Sequence, residues 1–259
     1  MTIELAGGVD VGSCTTKAVI VNNQRQILGS SVLYSGTDFQ AASGEAWNQC
    51  IQEAGVNGED IRNVVSTGYG RKSVSFATGN LTEISCHGRG CLHFFPGPIT
   101  VVDIGGQDNK VIKLDVRGHR VSFKMNRKCA AGTGAFLEEM AVRLRLPIEK
   151  LDTLAREADG EVSLGSYCTV FSATEVLEKI KAGHPVNRIV RGVFTSVMKR
   201  VMEMDTLTDT VVLTGGVIEH NPFLAELIQQ QTPNPVRIPP HPQITGALGA
   251  ALYALDGAH

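Results

Sequence analysis

Two apolar runs of the chain each end in a polar turn that leads into a second apolar run. Residues 9–21 read VDVGSCTTKAVIV, and residues 102–114 read VDIGGQDNKVIKL. Apolar strand residues on both sides of a glycine-containing polar turn predict a β-hairpin at each place. At an offset of 93 the two runs match at four pairs: Val9/Val102, Asp10/Asp103, Gly12/Gly105 and Lys17/Lys110. The repeat predicts two related lobes, with a chance match of two strand–turn–strand runs as the alternative.

A third glycine turn lies late in the chain. Residues 211–227 read VVLTGGVIEHNPFLAEL, an apolar run followed by Gly215-Gly216. We expect a strand, a loop, and then a helix with Asn221 as N-cap and Pro222 at its first position. Such a unit lets a nucleoside lie against bare backbone, although an ordinary turn has the same pattern. No GxxxxGKS run is present in the sequence, which excludes a P-loop NTPase.

Two stretches with helical periodicity follow cysteines. The apolar stripe of the first is formed by Phe136, Leu137, Met140, Ala141 and Leu144, and that of the second by Ala173, Val176, Leu177 and Ile180. The pattern predicts that Cys129 and Cys168 each lie at or just before a helix N-terminus. The free N–H groups and positive partial charge found there lower the pKa of a thiol and stabilise a nearby anion.

Composition narrows the class of protein. The chain has 259 residues, of which 42% are hydrophobic and 19% charged, as in globular proteins. Its 24 basic and 26 acidic residues nearly balance, which gives no indication of a nucleic acid or an anionic membrane as partner. No apolar stretch approaches the roughly 20 residues of a membrane span, and the N-terminus lacks the features of a signal peptide. We therefore expect a cytoplasmic protein.

The hairpin turns suit phosphate. Glycines without a Cβ let backbone N–H groups approach an anion, which applies to Gly12, Gly105 and Gly106. Hydroxyl donors in the first turn are supplied by Ser13, Thr15 and Thr16. A carboxylate repels phosphate, so we expect Asp10 and Asp103 to hold a hydrated Mg²⁺ instead.

The six cysteines allow several readings. Four thiolates hold an iron–sulfur cluster, so Cys129 and Cys168 supply half of such a site, and a symmetric dimer would supply the whole. Buried free cysteines are also common as small hydrophobic residues, and Cys50 is expected in the core. Cys86 and Cys91 offer an alternative intrachain site with the other two, but we expect Cys86 in the first lobe. A zinc site that combines them with His87 and His93 has no typical spacing.

The three glycine turns, in this order, resemble the sugar kinase/heat-shock protein 70/actin superfamily. The resemblance covers the whole chain and implies an α/β fold of two ribonuclease-H-like lobes that clamp ATP. It predicts a first lobe of residues 1–97 joined by the C-terminal helix 245–259, and a second lobe of residues 98–244. The small residues of 246–255 permit close contact of that helix with the first sheet.

A narrower resemblance rests on seven motifs in order. They are TGYGR at 67–71, EISCHG at 83–88, DIGGQD at 103–108, KCAAGTG at 128–134, CTVF at 168–171, TGGV at 214–217 and QITGALGAALYA at 243–254. These resemble the ATP-dependent activators of 2-hydroxyacyl-CoA dehydratases, a family that includes the ATPase subunits of benzoyl-CoA reductase and the reductases of double-cubane-cluster proteins. The resemblance implies a homodimer in anaerobic metabolism that uses ATP hydrolysis to reduce an iron–sulfur partner enzyme by single electrons. A low-potential ferredoxin or flavodoxin would be its donor.

The resemblance also implies roles for individual residues. Cys129 and Cys168 fall on the positions that hold one [4Fe-4S] cluster per dimer. Asp10, Asp103 and Gln107 are the expected catalytic residues, with Gln107 orienting the attacking water. ATP or ADP, with Mg²⁺, would be bound by the two hairpins and the adenosine turn: Gly12, Ser13, Cys14, Thr15, Lys17, Gly105, Gly106, Asp108, Gly215, Gly216 and Gln243.

Three residues depart from the family pattern. Cys14 stands where a threonine is usual, Arg127 where an aspartate is usual, and Ala173 where a glutamate is usual. The last two make the surroundings of the expected cluster more positive, which indicates a higher cluster potential or a different partner surface, with drift on a solvated face as the alternative. A small-molecule kinase of the same superfamily without a cluster, and a nucleotide-gated regulatory module, are the alternative functions.

Overall fold

The computed structural model describes residues 4–165 and 168–257. They form two compact units. The first unit comprises residues 1–99, 112–121 and 243–259, and the second comprises residues 100–111 and 122–242. Residues 1–3 of the predicted first lobe, and residues 258–259 of the predicted C-terminal helix, lie outside the described residues. The lobe boundaries expected from the sequence stay a prediction.

The first sheet has the strand order β3-β2-β1-β4-β5. Its strands are β1 (Leu5–Val11), β2 (Thr15–Asn22), β3 (Ile27–Tyr34), β4 (Ile61–Thr67) and β5 (Gly79–Asn80). The central strand β1 is buried along its whole length, antiparallel to β2 and parallel to β4. The register pairs Asp10 with Lys17 across the hairpin and with Thr67 of β4.

Helices α1 (Phe39–Ala54) and α9 (Thr245–Leu255) pack on this sheet, and α2 (Glu83–Phe94) packs on α9. The Asp38 carboxylate accepts from Ala41 N and caps α1, which ends at Gly55 in the left-handed conformation. Cys50 is fully buried on α1, as expected. A Cβ at Gly8 would stand 2.1 Å from the carbonyl oxygen of Ala247, so β1 and α9 meet backbone to backbone. The small residues of α9 thus permit the close contact predicted from the sequence.

The second sheet has the order β10-β9-β6-β7-β8. Its strands are β6 (Ile99–Ile104), β7 (Asn109–Leu114), β8 (Arg120–Asn126), β9 (Thr210–Thr214) and β10 (Val236–Arg237). When β6 is matched with β1, the order is the same as that of the first sheet. The offset-93 repeat therefore marks a duplicated unit and is not a chance match.

The helices of the second unit include an addition that the first lacks. After β8 come α3 (Gly134–Leu144), α4 (Leu151–Glu157) and α5 (Thr169–Lys181), and only then α6 (Val186–Met204), which lies between β8 and β9 as α1 lies between β3 and β4. Apolar faces of α3 to α6 share one core with Phe136, Val176 and Phe194. Both cysteines with expected cluster roles lie in this added segment, residues 127–185.

One local expectation was wrong. The residues after Gly215 form a short helix, α7 (Gly216–His220), instead of a loop, and the next helix is α8 (Phe223–Gln229) with Pro222 at its N-cap. Asn221 is buried, and its side-chain amide donates to the carbonyl of Val217, closing α7. The local sequence pattern assigned the Asn221 side chain to the start of α8, but in the structure this side chain completes the end of α7.

Candidate nucleotide site and cysteine segment

The first hairpin turn is closed by its own backbone. Gly12 N donates to Thr15 O over 3.0 Å, and Ser35 N donates to Cys14 O over 2.9 Å. The Ser35 hydroxyl donates to Gly12 O and also bonds the Thr16 hydroxyl. Thr16 is fully buried, so the expectation that its hydroxyl faces a phosphate was wrong. Ser13 is exposed, while Cys14 and Thr15 are half-buried, which leaves these three at the open side of the turn.

The second turn repeats the first. Gly105 N donates to Asp108 O over 2.9 Å, the bond that the offset of 93 predicts from Gly12 and Thr15. A Cβ at Gly105 would stand 2.9 Å from that oxygen and 2.9 Å from Asp108 Oδ1, so this turn has no room for a side chain there. Gly106 is half-buried and Gln107 is exposed. An exposed amide at the tip of a phosphate turn has the freedom to orient a water molecule.

The matched carboxylates are both buried, with Asp10 5% and Asp103 2% exposed. Each faces the lysine of its own hairpin: Lys17 Nζ lies 3.6 Å from Asp10 Oδ2, and Lys110 Nζ lies 3.0 Å from Asp103 Oδ2. Lys110 also bonds Asp108 Oδ1 over 2.8 Å. A carboxylate at this place in a glycine turn can hold a hydrated divalent cation beside phosphate.

Sequence reasoning missed Thr214 beside Asp103, and it assigned Gly215 only to adenosine. The Thr214 hydroxyl donates to Asp103 Oδ1 over 3.2 Å. Gly215 has φ +98° and its Cβ would stand 2.9 Å from the same oxygen, which only glycine allows. The sequence did contain a signal for this placement, because the same Thr-Gly pair stands at the end of two strands. Thr67-Gly68 stands at the end of β4, and Thr214-Gly215 at the end of β9. The turn expected to contact adenosine is therefore also part of the carboxylate's surroundings.

The other two residues expected at the adenosine turn, Gly216 and Gln243, lie next to Gly215 and its bonding partner Pro242. Gly215 N donates to the carbonyl of Pro242 over 3.0 Å. Gln243, the next residue in the chain, is half-buried in the turn that precedes α9, and Gly216 is the half-buried first residue of α7.

The turn of the second hairpin is bonded directly to helix α3. Gly134 N donates to Gly105 O over 2.9 Å, and Ala135 N donates to Gly106 O over 2.8 Å. The Asn109 side chain donates to the carbonyl of Gly132 over 2.7 Å and fixes the loop before the helix. These are the N–H groups that a helix leaves without an intrahelical partner. The first turn of α3 is thus tied to the backbone of the phosphate turn.

The two candidate cluster ligands have different settings. Cys168 is the exposed N-cap of α5, as expected. Cys129 is half-buried in the loop before α3, whose N-cap is Thr133, so the expectation that it immediately precedes the helix was wrong. Asn126 donates to the carbonyl of Cys129 over 2.9 Å and holds this loop. Both thiols are accessible ligand donors, which fits a thiolate-bound group.

A groove of about 480 Å³ lies along the surface between the packed helices α3 and α5. Its lining residues include the immediate neighbours of both cysteines, Ala130 and Thr169, together with Ala173. Beside it, Val170 and Phe171 are 72% and 68% exposed. Ala173 itself is only 5% exposed, so the alternative of drift on a solvated face does not apply at this position.

Three further cysteines, Cys50, Cys86 and Cys91, have the surroundings of core residues. Burial raises the pKa of the Cys86 thiol to about 12, and that of Cys50 likewise to about 12. Cys91 is fully buried as well. Because only the thiolate binds a metal, such thiols are poor ligands at neutral pH. Within residues 4–165 and 168–257, no three ligand side chains of histidine, cysteine, aspartate or glutamate are grouped to hold a metal ion.

Comparison with known proteins shows the family of the chain. A model of the BadF/BadG/BcrA/BcrD ATPase family matches residues 8–254. The chain belongs to the BadF/BadG/BcrA/BcrD ATPase family. It is 40% identical to the 2-hydroxyisocaproyl-CoA dehydratase activator of Clostridioides difficile, over 97% of this chain and 95% of the relative. It is 36% identical to the (R)-2-hydroxyglutaryl-CoA dehydratase activating ATPase of Acidaminococcus fermentans, over 97% of each chain.

Solved structures give this BadF/BadG/BcrA/BcrD ATPase its fold class. The activator of the 2-hydroxyisocaproyl-CoA dehydratase from Clostridium difficile, with bound ADPNP, is 38% identical, with a TM-score of 0.91 over 98% of this chain and 95% of that chain. A ROK family glucokinase from Streptomyces griseus shares the fold at 14% identity and a TM-score of 0.62, over 98% of this chain and 100% of its own. The fold is the two-lobed α/β type of actin and the sugar kinases. Among the described residues, no helix has both the length and the apolar character needed to cross a membrane.

Proposed function

We propose that this chain is an ATPase coupled to electron transfer. As a homodimer it would hydrolyse ATP and deliver single electrons at low potential to an iron–sulfur partner enzyme. Two features support the proposal: a glycine hairpin with a buried Asp–Lys pair in each unit, and two accessible cysteines in the added segment of the second unit.

In this proposal the hairpins bind the phosphates of ATP. Backbone N–H groups of the two turns, with the Ser13 and Thr15 hydroxyls, contact phosphate oxygens. Lys17 adds positive charge there. Cys14 contributes its backbone, since a thiol donates poorly. Asp10 and Asp103 hold a hydrated Mg²⁺, and Gln107 orients the attacking water.

The adenosine end would be bound by bare backbone. Gly215, Gly216 and Gln243 are the residues we assign to it. Gly215 lies against Asp103, so the same turn would contact the nucleoside and hold the catalytic carboxylate in place.

The bond between the phosphate turn and α3 carries the proposed coupling. Asp103 and Gly105 share a turn that would face the γ-phosphate, and the Gly105 and Gly106 carbonyls accept from the first turn of α3. Cys129 lies in the loop that enters α3, and α5 with Cys168 packs on the same helix. A shift of the phosphate turn on hydrolysis is therefore passed through backbone hydrogen bonds to the segment that holds both cysteines.

We assign Cys129 and Cys168 to one [4Fe-4S] cluster that is shared by two chains. Each chain supplies two thiolates, and the exposed Val170 and Phe171 beside Cys168 suit a surface covered by a second copy. When bound, the cluster would carry the electron. Raising one electron by about 59 mV costs about 1.4 kcal/mol, so an uphill step of several hundred millivolts needs coupling to ATP hydrolysis.

The partner follows from the chemistry of the relatives. We propose that it is a 2-hydroxyacyl-CoA dehydratase, an aryl-CoA reductase or a double-cubane-cluster protein, and that a low-potential ferredoxin or flavodoxin reloads the activator. The reaction would take place in the cytoplasm.

The test combines iron analysis with turnover. The anaerobically purified chain should be a brown dimer with about two irons per chain, because a four-iron cluster is shared by two chains. Reduced protein should pass electrons to a candidate partner only while ATP is hydrolysed. A colourless preparation that phosphorylates a small molecule would contradict the proposal and favour a kinase.

A further inference from the structure

Three motif residues that the proposed mechanism does not use, Gly68, His87 and Gly246, lie around the Asp10 carboxylate. Gly68 of the TGYGR motif has φ +88°, and a Cβ there would stand 2.4 Å from Asp10 Oδ1. On the other side, a Cβ at Gly246, in the QITGALG motif, would stand 2.8 Å from Asp10 Oδ2. The two glycines let the backbones of the β4 loop and of α9 close around this one side chain.

The third motif, EISCHG, contributes His87. This histidine lies on α2 and is 6% exposed. Its Nε2 stands 3.1 Å from the position that a Gly246 Cβ would take, the same point that faces Asp10 Oδ2. Nε2 and Asp10 Oδ2 therefore lie 3.1 and 2.8 Å from one point beside Gly246. The other ring nitrogen, Nδ1, lies 3.3 Å from the Thr245 hydroxyl.

The corresponding carboxylate of the second unit is held differently. Asp103 accepts from Lys110 over 3.0 Å and from Thr214 over 3.2 Å, both in hydrogen-bonding range. The lysine of the first hairpin, Lys17, lies 3.6 Å from Asp10, beyond ordinary hydrogen-bond length, and its ammonium group donates to Thr15 O over 3.2 Å. The duplicated carboxylates thus have different partners, because the hydroxyl of Thr67, which matches Thr214, donates to Leu81 O and not to Asp10.

We propose that His87 is a positioning residue for Asp10. In this arrangement the Thr245 hydroxyl donates to Nδ1, the ring proton is on Nε2, and Nε2–H donates to a water molecule that in turn donates to Asp10 Oδ2. This bridge fixes the orientation of the carboxylate that the proposed function assigns to the hydrated Mg²⁺. Removal of a group that orients a ligating carboxylate typically weakens metal binding by about 10- to 100-fold. The inference rests on the proposed role of Asp10 at the nucleotide.

When Mn²⁺ replaces Mg²⁺, the metal affinity of the site can be measured without ATP turnover. Electron paramagnetic resonance measures free Mn²⁺ in a titration of the full-length protein with ADP present, and a melting curve shows that each variant is folded. We expect His87→Leu to weaken Mn²⁺ binding by about 10- to 100-fold. His87→Gln, whose amide N–H reaches about as far as Nε2, should restore most of the affinity.

A glycine substitution tests the same contact with both side chains present. Gly246→Ala inserts a methyl group between Asp10 and His87 and should weaken Mn²⁺ binding as His87→Leu does. The matched control is Gly44→Ala on α1, where a Cβ meets nothing within 4 Å, and it should bind Mn²⁺ as the parent protein does. Where His87→Leu fails to fold, this pair decides the question.

A double-mutant cycle separates the inference from the proposed function. Asp10→Asn should weaken Mn²⁺ binding, and His87→Leu should add little in that background, because neighbours that act together are not additive. If Asp10→Asn leaves Mn²⁺ affinity intact, the proposed role of Asp10 is wrong. If it weakens binding but the His87 and Gly246 variants do not, or if the effects simply add, then His87 does not act through Asp10.

Discussion

Gly134 N donates to Gly105 O over 2.9 Å, which joins the first residue of a helix to the phosphate turn of the second hairpin. Glycine at position 134 permits this close approach, because a Cβ there would stand only 3.1 Å from the Cα of Gly106. Since the loop with Cys129 leads into the same helix, the two proposed sites of the second unit are linked by backbone alone. Side-chain chemistry can vary around such a link without breaking it.

The link can be removed with one substitution. Gly134→Pro deletes the N–H at the first helical position, where proline is otherwise tolerated. A backbone hydrogen bond contributes about 1 kcal/mol, or about fivefold in an equilibrium. We expect ATP hydrolysis to continue while the number of ATP molecules consumed per electron delivered rises several-fold. Gly134→Ala keeps the N–H and serves as the control. Unchanged stoichiometry in Gly134→Pro would show that coupling takes another route.

Replacing either proposed cluster ligand should remove the cluster. Cys129→Ser and Cys168→Ser should each lose the visible absorption and most of the roughly two irons per chain of a shared four-iron cluster. Cys50→Ala should keep both, because Cys50 is a fully buried core residue of α1. Iron content and absorption after anaerobic purification are the measurements. Full iron in both serine variants would rule out the shared site.

The two buried carboxylates are predicted to be essential for hydrolysis. Asp10→Asn and Asp103→Asn each remove charge that would hold the hydrated Mg²⁺, and should lower ATP turnover by about 100-fold or more, which corresponds to about 3 kcal/mol in the barrier. The cluster absorption should persist, because the cysteines lie elsewhere. Asp159→Asn, which alters only the exposed pair with Arg188, is the control. Normal Mg²⁺-dependent turnover in both variants would contradict the two-hairpin assignment.

The charge of Arg127 should affect the cluster potential. Arg127 is exposed in the loop before Cys129, and positive charge near a cluster stabilises its reduced state. Arg127→Asp should therefore lower the midpoint potential, with a smaller effect at high salt. Ala173→Glu, which would restore the glutamate usual in the family, does not isolate the effect of charge. Position 173 is buried against α3, so a carboxylate there would also lower the stability of the fold. A constant midpoint with failed electron delivery would place the effect of Arg127 at the docking surface.

The buried thiols predict how stability depends on alkaline pH. Burial raises the pKa of Cys50 to about 12 from 9.0, so the unfolded chain loses its proton first. The stability contributed by the neutral thiol is full below pH 9 and is lost as pH rises towards 12, by up to about 1.4 kcal/mol per pH unit. Denaturant titrations between pH 8 and 10.5 measure this. Cys50→Ala should have a shallower decline than the parent, and an equal decline would contradict the assignment.

The sequence by itself determined the two hairpins, because turn chemistry is local. The match of Asp10-x-Gly12 with Asp103-x-Gly105 already specified two closed turns, and the structure repeats the same N–H to carbonyl bond in both. The seven motifs likewise determined the family and therefore the fold. Helical periodicity placed α3 and α5, and it assigned Cys168 to a helix start.

Only the tertiary structure decided which distant segments meet. Gly68 and Gly246 reach Asp10, and Gly134 reaches Gly105, through contacts that no spacing along the chain reports. Local patterns also misassigned Asn221 and Cys129. Asn221 suits a helix start by residue type, but its amide is used by the preceding helix, and Cys129 lies in a loop held by Asn126. The physical reason is the same in each case: a polar group bonds whichever partner the packing brings within about 3 Å, and packing depends on the whole chain.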